Sequence, residues 1–285
     1  MQALVIAGGL GTRCLPYTRS VPKFMLPINK LTFSYHFFYL LKQSGHTHVV
    51  LALRKDHKNF GSQLRQEASI NGLDITIDIQ SNELDDFERV LHARDYLADT
   101  FTLCYSDNFP IGNFNKLRFF HYESLAQNLV YLGLINSRNK PGNIKLIGRT
   151  KSLSNELISY SSKRSEFFKY KDLGFSVIPK HLLYRKSLLG VKSIKSFLQS
   201  LSNTNEIMKG LEFITYHSIG DKFRYEKLRD NNSKLILLDR DGTINKKMNP
   251  GEYTSLDLLK KASHYDKLIT CIKKIINNQD YQLFI

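Results

Sequence analysis

The sequence predicts an α/β fold with a mostly parallel, doubly wound sheet, followed by a second, shorter α/β segment. Three observations carry this prediction. Short apolar runs typical of buried strands alternate with stretches of helical periodicity. A glycine-rich turn directly follows the first apolar run. A polar stretch at 229–233 precedes a fresh apolar run, so we place the domain boundary there and predict domains at 1–229 and 230–285.

The predicted strands are short, nearly continuous apolar runs, as expected for strands buried on both faces. In the first domain they are Ala3–Ala7, His48–Leu53, Ile75–Ile79, Thr100–Cys104, Leu129–Ile135, Gly174–Ile178 and Glu212–Tyr216. Aromatic and aliphatic residues at helical spacing predict helices at Phe33–Ser44 and Arg89–Leu97. In the second domain we predict strands at Lys234–Leu238 and Tyr281–Ile285 and a helix at Leu258–Ile276.

The composition narrows the function classes. The chain has 285 residues and a formal net charge of +15, but its basic residues alternate with acidic ones and no nucleic-acid-binding motif accompanies them. We therefore predict a basic surface that attracts anionic nucleotides, and no nucleic-acid partner. A nucleic-acid site remains the alternative reading of the charge, and it would show a steep salt dependence of affinity.

The cysteines and the apolar runs indicate a cytoplasmic protein. No run approaches the roughly 20 apolar residues that a membrane-spanning helix needs, and the start lacks the pattern of a secretory signal. Cys14, Cys104 and Cys271 are too far apart for a paired-cysteine zinc site, and their odd number does not suit a disulfide framework. We expect reduced thiols, no membrane association and a cytoplasmic location, and we make no prediction of the oligomeric state.

The most informative stretch is the glycine turn with the cations that follow it, Gly8-Gly9-Leu10-Gly11-Thr12-Arg13 and then Pro22-Lys23. Glycines after a strand let backbone N–H groups approach a polyphosphate without interference from a Cβ. Arg13 and Lys23 add fixed positive charge, which favours a reaction at an α-phosphorus where negative charge builds up. The spacing matches neither the dinucleotide fingerprint nor the Walker loop, and glycines alone would indicate only a tight turn.

The opening segment MQALVIAGGLGTRCLPYTRSVPKFMLPI resembles that of the sugar-nucleotide pyrophosphorylases. The resemblance implies a Rossmann-like, GT-A-like nucleotidyltransferase domain that uses Mg²⁺, a nucleoside triphosphate and a sugar 1-phosphate. Gly8, Gly9, Gly11 and Thr12 would bind the nucleotide. Arg13 would contact the β- and γ-phosphates, and Lys23 the region of the α-phosphate.

Weaker matches to the same family extend to about residue 229. Asp107, at the end of a predicted strand, corresponds to the family's Mg²⁺ ligand. Asn143, Lys163 and Asp172 lie in segments that resemble its sugar site, although Lys163 also reads as a solvated charge and Asp172 as a strand-end cap.

Two segments depart from the family pattern. Glu83–Arg89 replaces the small-residue loop that recognises the base, and Ser218 stands at an acidic position. If that acid is a second metal ligand, Asp221 or water would take its place.

A second motif, Asp239-Arg240-Asp241-Gly242-Thr243, follows the apolar run of the second domain. A carboxylate at a strand end can attack phosphorus, and another two residues later can act as acid and base. The motif resembles the first motif of haloacid dehalogenase (HAD) phosphatases, in the histidinol-phosphate and heptose-bisphosphate branch. Asp239 would then be nucleophile and Mg²⁺ ligand, and Asp241 the acid/base. We expect a truncated HAD-like segment without phosphatase activity, because the fold's later Ser/Thr, Lys and acidic residues are missing.

These resemblances imply transfer of a nucleoside monophosphate to a sugar 1-phosphate with release of pyrophosphate. The heptose-bisphosphatase-like motif points to GTP and D-glycero-D-manno-heptose 1-phosphate, for surface polysaccharide precursors. The alternative is a nucleotide- or sugar-phosphate-binding protein that has lost catalysis.

Overall fold

A computed structural model of the chain describes residues 1–111, 114–137, 140–149, 156–204, 206–213, 215–230, 234–237 and 281–284. The chain divides into two compact units, Met1–Leu228 and Arg229–Ile285.

The first unit contains thirteen strands and six α-helices among its described residues. The strands are β1 (Gln2–Ala7), β2 (Pro27–Ile28), β3 (Leu31–Thr32), β4 (His48–Arg54), β5 (Asp74–Gln80), β6 (Thr100–Tyr105), β7 (Asn108–Ile111), β8 (Val130–Asn136), β9 (Gly142–Arg149), β10 (Glu156–Ser165), β11 (Tyr170–Pro179), β12 (Met208–Glu212) and β13 (Thr215–Ser218). The helices are α1 (Phe33–Gln43), α2 (Gly61–Ile70), α3 (Asp86–Ala93), α4 (Phe114–Gln127), α5 (Ile194–Asn203) and α6 (Lys222–Arg229).

Nine of these strands form one mixed sheet in the order β5-β4-β1-β6-β11-β8-β12-β10-β9. Strands β5, β4, β1 and β6 are parallel to one another, whereas β11 is antiparallel to both β6 and β8, and β10 is antiparallel to β12 and β9. The prediction of a mostly parallel sheet therefore holds for the half that contains β1, with β10 and β11 running against the remaining strands. Antiparallel neighbours need no crossover helix, so the helical spacing on which the prediction relied could not reveal them.

Two predicted elements need correction. The predicted strand Glu212–Tyr216 is two strands: β12 ends at Glu212 in the large sheet, and β13 begins at Thr215 and pairs with β7 in a separate ribbon. The predicted helix Arg89–Leu97 starts earlier, at Asp86, and gives way to a 3₁₀ turn at Arg94–Tyr96. A capping box between Asp85 and Glu88 fixes that earlier start.

The core has two layers, one on each face of the sheet. All six residues of β1 are buried, and successive side chains go to opposite faces: Ala3 and Val5 to the layer that includes α1, and Leu4 and Ile6 to the layer that includes α3 and α5. This explains why the strand reads as an unbroken apolar run. On the α1 side, Phe24 lies within 5.5–6.4 Å of the rings of three phenylalanines of α1, Phe33, Phe37 and Phe38.

Two buried histidines lie in this first unit. Burial lowers the pKa of His46 to about 3 and that of His121 to about 4, from ordinary values of 6.5. His46 nevertheless makes a hydrogen bond, since its Nε2 lies 2.9 Å from Thr102 Oγ1. Because the folded-state pKa values are the lower ones, the unfolded chain binds more protons between about pH 4 and 6.5. Both histidines therefore contribute stability above pH 6.5 that is lost as the pH falls through this window.

We expect the free energy of unfolding to fall between pH 7 and pH 5, by about 2 kcal/mol for each of these histidines. In His121→Gln the part of the pH dependence due to that side chain should disappear, whereas His181→Gln, at an exposed position, should behave like the unmodified protein. Urea unfolding at both pH values measures this. Equal pH dependence in His121→Gln and the unmodified protein would show that His121 is not buried in its neutral form.

The described part of the second unit contains two strands, β14 (Lys234–Leu237) and β15 (Tyr281–Phe284), which pair in parallel. Both coincide with predicted strands. The predicted helix Leu258–Ile276 lies outside the described residues.

Candidate active site

Two adjoining cavities open at the carboxyl ends of β1 and β6. Because these strands pair in parallel, with Ile6 opposite Tyr105, the segments that follow them meet at one edge of the sheet. The cavities measure about 400 and about 320 Å³. Asp86, Tyr105 and Asp107 line both cavities and thus mark their common boundary.

The first cavity lies between the glycine turn and the start of α3. Gly8, Gly9 and Leu10 line one side together with Lys23 and Asp107. Further residues of the lining are Arg54, Asn82, Glu83, Leu84, Asp85 and Arg89. Of the predicted nucleotide-binding residues, Gly8 and Gly9 therefore border the cavity, whereas Gly11 and Thr12 lie just beyond its lining.

Gly11 shapes the turn. Its φ of 70° is in the left-handed region, and an added Cβ would come within 3.0 Å of the Thr18 side chain. Thr18 Oγ1 donates a hydrogen bond of 2.7 Å to the Gly11 carbonyl, and a 3₁₀ turn follows at Thr12–Cys14. Gly9, by contrast, has open space where its Cβ would be. The glycine turn thus exposes backbone along the cavity.

Lys23 and Asp107 form an ion pair at the centre of the site. The Nζ atom of Lys23 lies 2.6 Å from Oδ2 of Asp107, and the two side chains are 13% and 20% exposed. Lys23 begins a 3₁₀ turn whose next two residues, Phe24 and Met25, are buried in the core. Asp107 follows β6, and its carbonyl accepts a hydrogen bond of 3.0 Å from the amide of Ile219. Both charges are therefore held by the packed fold rather than by free loops.

The second cavity is lined mainly by polar and charged side chains. Four cationic residues line it: Arg13, Arg164, Lys195 and Arg224. Other lining residues are Asn108, Asn143, Ser162, Asp172 and Ser218. Two predicted sugar-binding residues, Asn143 and Asp172, thus lie together here. Arg13 departs from expectation, because it lines this cavity and not the one beside the glycine turn.

Asp172 is held on both sides by hydrogen bonds. Its amide donates to Asn143 Oδ1 at 2.9 Å, and its Oδ1 accepts from the amide of Gly174 at 2.7 Å. Burial raises the pKa of Asp172 to about 6, and the Gly174 amide and Lys195 oppose that rise. The carboxyl group is therefore ionised above about pH 6.

The loop after β13 lies next to Asp107. Ser218 pairs with Asn108, the residue that follows Asp107, and Ser218 Oγ accepts a hydrogen bond of 3.1 Å from the Gly220 amide. The departure at Ser218 therefore falls where a second carboxylate would approach Asp107. Asp221 is outside both linings and engages α6, accepting from the Arg224 amide at 2.9 Å and pairing with Arg224 Nε at 3.2 Å. Within the described ranges no three His, Cys, Asp or Glu side chains converge on a metal site.

A third predicted sugar-binding residue, Lys163, is not brought together with Asn143 and Asp172. Lys163 is exposed and does not line the second cavity, whereas its neighbours Ser162 and Arg164 do, since side chains alternate along β10. Asp239 and Asp241 lie outside the described residues.

Sequence reasoning missed several charged residues of the site. Arg54 and Arg89 border the first cavity and are both buried, while Arg164, Lys195 and Arg224 border the second. The signal for Arg89 was present, because it stands in the segment that departs from the family pattern. Arg164, Lys195 and Arg224 carry no local motif, and tertiary folding brings them together.

Comparison with known proteins assigns the first part of the chain to a family. Residues 2–143, which include the glycine turn, Lys23 and Asp107, match the family model described as nucleotidyl transferase. The chain carries a nucleotidyl transferase domain.

No helix in the described part of the chain is long and apolar enough to cross a membrane.

Curated relatives match over limited stretches. D-glycero-alpha-D-manno-heptose 1-phosphate guanylyltransferase of Campylobacter jejuni is 43% identical over 53 residues, which is 19% of this chain and 24% of that protein. Mannose-1-phosphate guanyltransferase beta-B of Xenopus laevis is 26% identical over 127 residues, 45% of this chain and 34% of that protein. The chain thus spans about a quarter to a third of the length of the curated relatives it matches.

Solved structures share the fold. The UTP-bound UGPase of Acinetobacter baumannii superposes with a TM-score of 0.66 at 14% identity, covering 80% of this chain and 91% of that one. At this identity the likeness establishes an α/β nucleotidyltransferase fold for most of the chain, as the sequence predicted. It does not bear on the segment for which a HAD-like fold was predicted.

Proposed function

We propose that the protein transfers a nucleoside monophosphate from a nucleoside triphosphate to a sugar 1-phosphate and releases pyrophosphate. The observation that carries the proposal is the meeting of the two cavities at Asp107, with the Lys23 ammonium group fixed beside it. The nucleotide lies in the cavity bordered by the glycine turn, and the sugar phosphate lies in the cation-lined one. An oxygen of the sugar phosphate then faces the α-phosphorus at the shared boundary.

The reaction needs no protein nucleophile. The sugar-phosphate oxygen forms a bond to the α-phosphorus while the bond from that phosphorus to the bridging oxygen of the β-phosphate breaks, and pyrophosphate departs. Backbone N–H groups at Gly8 and Gly9 bind the phosphates, and Lys23 stabilises the charge that grows on the α-phosphate. Arg13, at the edge of the second cavity, holds the phosphate groups in position from the other side.

Asp107 suits the role of a Mg²⁺ ligand that acts together with substrate phosphates and water. Mg²⁺ is commonly held by one or two carboxylates together with substrate phosphates and water, so a single carboxylate at the phosphate end of the cavity suffices. When bound, Mg²⁺ neutralises phosphate charge. Lys23 Nζ pairs with Asp107 Oδ2, so a Mg²⁺ ion held by Asp107 would share the charge of this carboxylate with the ammonium group.

We further propose GTP and a heptose 1-phosphate as substrates. The named activities of the Campylobacter jejuni and Xenopus laevis relatives, both guanylyl transfers, support the base. The heptose is supported by the named activity of the Campylobacter jejuni relative and by the motif at 239–243. The roles of Asp239 and Asp241 in that motif remain predictions. The parallel pair β14–β15 is compatible with the start of a HAD-like sheet.

Pyrophosphate release measured over GTP, ATP, UTP, CTP and dTTP, each with a panel of sugar 1-phosphates, tests the proposal. We expect release with one sugar phosphate and one nucleotide above all others. A second candidate function, binding without transfer, is favoured by Ser218, since that position supplies no second carboxylate. Nucleotide binding without any pyrophosphate release would support this alternative and contradict the proposal.

Asp172→Asn tests the sugar half of the site. We expect the KM for the sugar 1-phosphate to rise about tenfold, because an ionised hydrogen-bond acceptor for a sugar hydroxyl is replaced by a neutral one, while the KM for the nucleotide changes less than about twofold. The same KM should rise in the unmodified protein as the pH falls below about 6, where Asp172 becomes protonated. Initial rates at pH 5.5 and 7.5 measure both effects. An unchanged KM for the sugar phosphate in Asp172→Asn would remove Asp172 from the sugar site.

A further inference from the structure

Arg89 places a buried guanidinium group against the glycine turn. The residue lies in α3, is 2% exposed and lines the first cavity but not the second. A Cβ added at Gly8 would overlap Nε of Arg89, so the guanidinium group occupies the space that the missing side chain of Gly8 leaves. Arg89 therefore packs directly on the backbone of the turn that follows β1.

The backbone of the same turn has N–H groups without partners in the described part of the chain. The amides of Gly9 and Leu10, which both line the first cavity, donate no hydrogen bond to a described residue. Successive free amides in a turn form a concave site that binds anions. The turn and Arg89 thus present N–H donors and positive charge to one cavity.

Arg89 is a buried cation that has no directly bound counter-ion among the described residues. Its two terminal nitrogens donate to neutral groups, to Gln80 Oε1 at 3.2 Å and to the Asn82 carbonyl at 3.3 Å, and its Nε donates to none of the described residues. Burial, and after it the nearby guanidinium of Arg54, lower the pKa of Arg89 from its ordinary value. A buried cation without a counter-ion costs free energy, and an anion bound in the first cavity would offset that cost.

The carboxylates whose charge reaches Arg89 already have partners. Asp56 accepts from Nε and a terminal nitrogen of Arg54 at 3.0 and 2.7 Å. The other two are held by backbone amides: Asp85 in the capping box of α3, and Asp86 at 3.0 Å from the amide of the first residue of α5. The guanidinium group of Arg89 is therefore available to an anionic ligand.

The arrangement of the two cavities indicates which phosphates meet Arg89. The proposed reaction takes place at the boundary marked by Asp107, and the attacking sugar phosphate approaches from the second cavity. In transfer at phosphorus the attacking and leaving oxygens lie roughly in line, on opposite sides of the phosphorus. The leaving group therefore points into the first cavity, where the glycine turn and Arg89 lie.

We propose that Arg89 is a catalytic residue that binds the β- and γ-phosphates of the nucleoside triphosphate and stabilises the pyrophosphate as it leaves. The inference rests on the nucleotidyl transfer of the proposed function. Arg89 supplies in the first cavity the charge that the family resemblance assigns to Arg13, which instead lines the second cavity. Negative charge grows on the pyrophosphate as its bond to the α-phosphorus breaks. A guanidinium group already held by Gln80 and Asn82 stabilises that charge without reorganisation.

Isothermal titration calorimetry with inorganic pyrophosphate, GTP and GMP in the presence of Mg²⁺ tests the inference, because these probes separate the leaving phosphates from the rest of the nucleotide. We expect Arg89→Met to weaken the binding of pyrophosphate and of GTP about tenfold or more, since a charge-assisted hydrogen bond to phosphate is lost. GMP lacks the β- and γ-phosphates and should bind the variant within about twofold of the unmodified protein. Retained GMP binding also shows that the variant is folded.

Arg94→Met is the matched control, because Arg94 lies just beyond α3, its side chain is 42% exposed and it lines neither cavity. The dissociation constants of all the probes should stay within about twofold in this control. Arg89→Lys keeps a cation at the same position of α3, and it should bind pyrophosphate more tightly than Arg89→Met does. Equal binding of pyrophosphate by these two variants would assign the effect to lost packing and overturn the inference.

The remaining outcomes separate the inference from the proposed function. Unchanged pyrophosphate binding in Arg89→Met, or equal losses for GTP and GMP, would overturn the inference even where the unmodified protein releases pyrophosphate normally. Pyrophosphate binding that depends on Arg89, without any transfer to a sugar phosphate, would support the contact and contradict the proposed function. Absence of binding of every probe by the unmodified protein would overturn both.

Discussion

Lys23→Ala is expected to lower kcat/KM for pyrophosphate release about a hundredfold or more. The ammonium group is held by the buried turn at Phe24 and Met25 and lies 2.6 Å from Asp107, which lines both cavities. In the proposed reaction, negative charge grows on the α-phosphate at this point. Removal of one pre-positioned group of this kind typically raises the barrier by about 3 kcal/mol. Steady-state kinetics with saturating sugar 1-phosphate measure the loss.

Lys30→Ala is the matched control, since Lys30 is exposed in the turn between β2 and β3 and lines neither cavity. The control should retain activity within about twofold, as expected for a surface substitution. A loss of less than threefold in Lys23→Ala would show that Lys23 does not act on the reacting phosphates, whatever its distance from Asp107.

The parts of the site that follow β1 and β6 were predictable because they obey local rules. The run Ala3–Ala7 is apolar at every position since β1 is buried on both faces, and the carboxyl end of such a strand is where α/β folds bind ligands. A glycine turn at that end, followed by Arg13 and Lys23, favours phosphate binding, and Asp107 follows the neighbouring strand. The sequence alone therefore places both strands, and the segments that follow them, at one edge of the sheet.

The second cavity could not be predicted in this way. Its wall depends on β10, where Arg164 rather than Lys163 lines the cavity, and a shift of one residue in a strand exchanges its two faces. β10 also pairs irregularly with β9, and such register shifts have no sequence signature here. The reversed strands β10 and β11 are joined without a helix, so periodicity gave no sign of their direction.

The first cavity shows a third situation, in which a departure from the family pattern was visible but its consequence was not. The segment Glu83–Arg89 stands where the family has a loop of small residues. The structure shows the guanidinium group braced by Gln80 and placed against Gly8. A large side chain, held by Gln80 and Asn82, therefore forms part of the cavity lining.

Asp107→Asn is expected to remove Mg²⁺-dependent nucleotidyl transfer, with a loss on the order of a thousandfold or more, and to leave the fold intact. The amide keeps the size of the carboxylate, and the backbone of Asp107 remains bonded to Ile219, so circular dichroism should be unchanged. It loses the negative charge that attracts a divalent cation to the phosphate end of the cavity. Pyrophosphate release as a function of Mg²⁺ concentration measures the effect.

Asp221→Asn is the variant with which the activity of Asp107→Asn is compared. Asp221 is bound to Arg224 at the start of α6 and lies outside both cavity linings, so its loss should change the rate less than about tenfold. If instead both variants lose Mg²⁺-dependent activity to the same degree, Asp221 replaces the acid missing at Ser218, and the metal has two carboxylate ligands. An unchanged Mg²⁺ dependence in Asp107→Asn would mean that Asp107 serves only as the partner of Lys23.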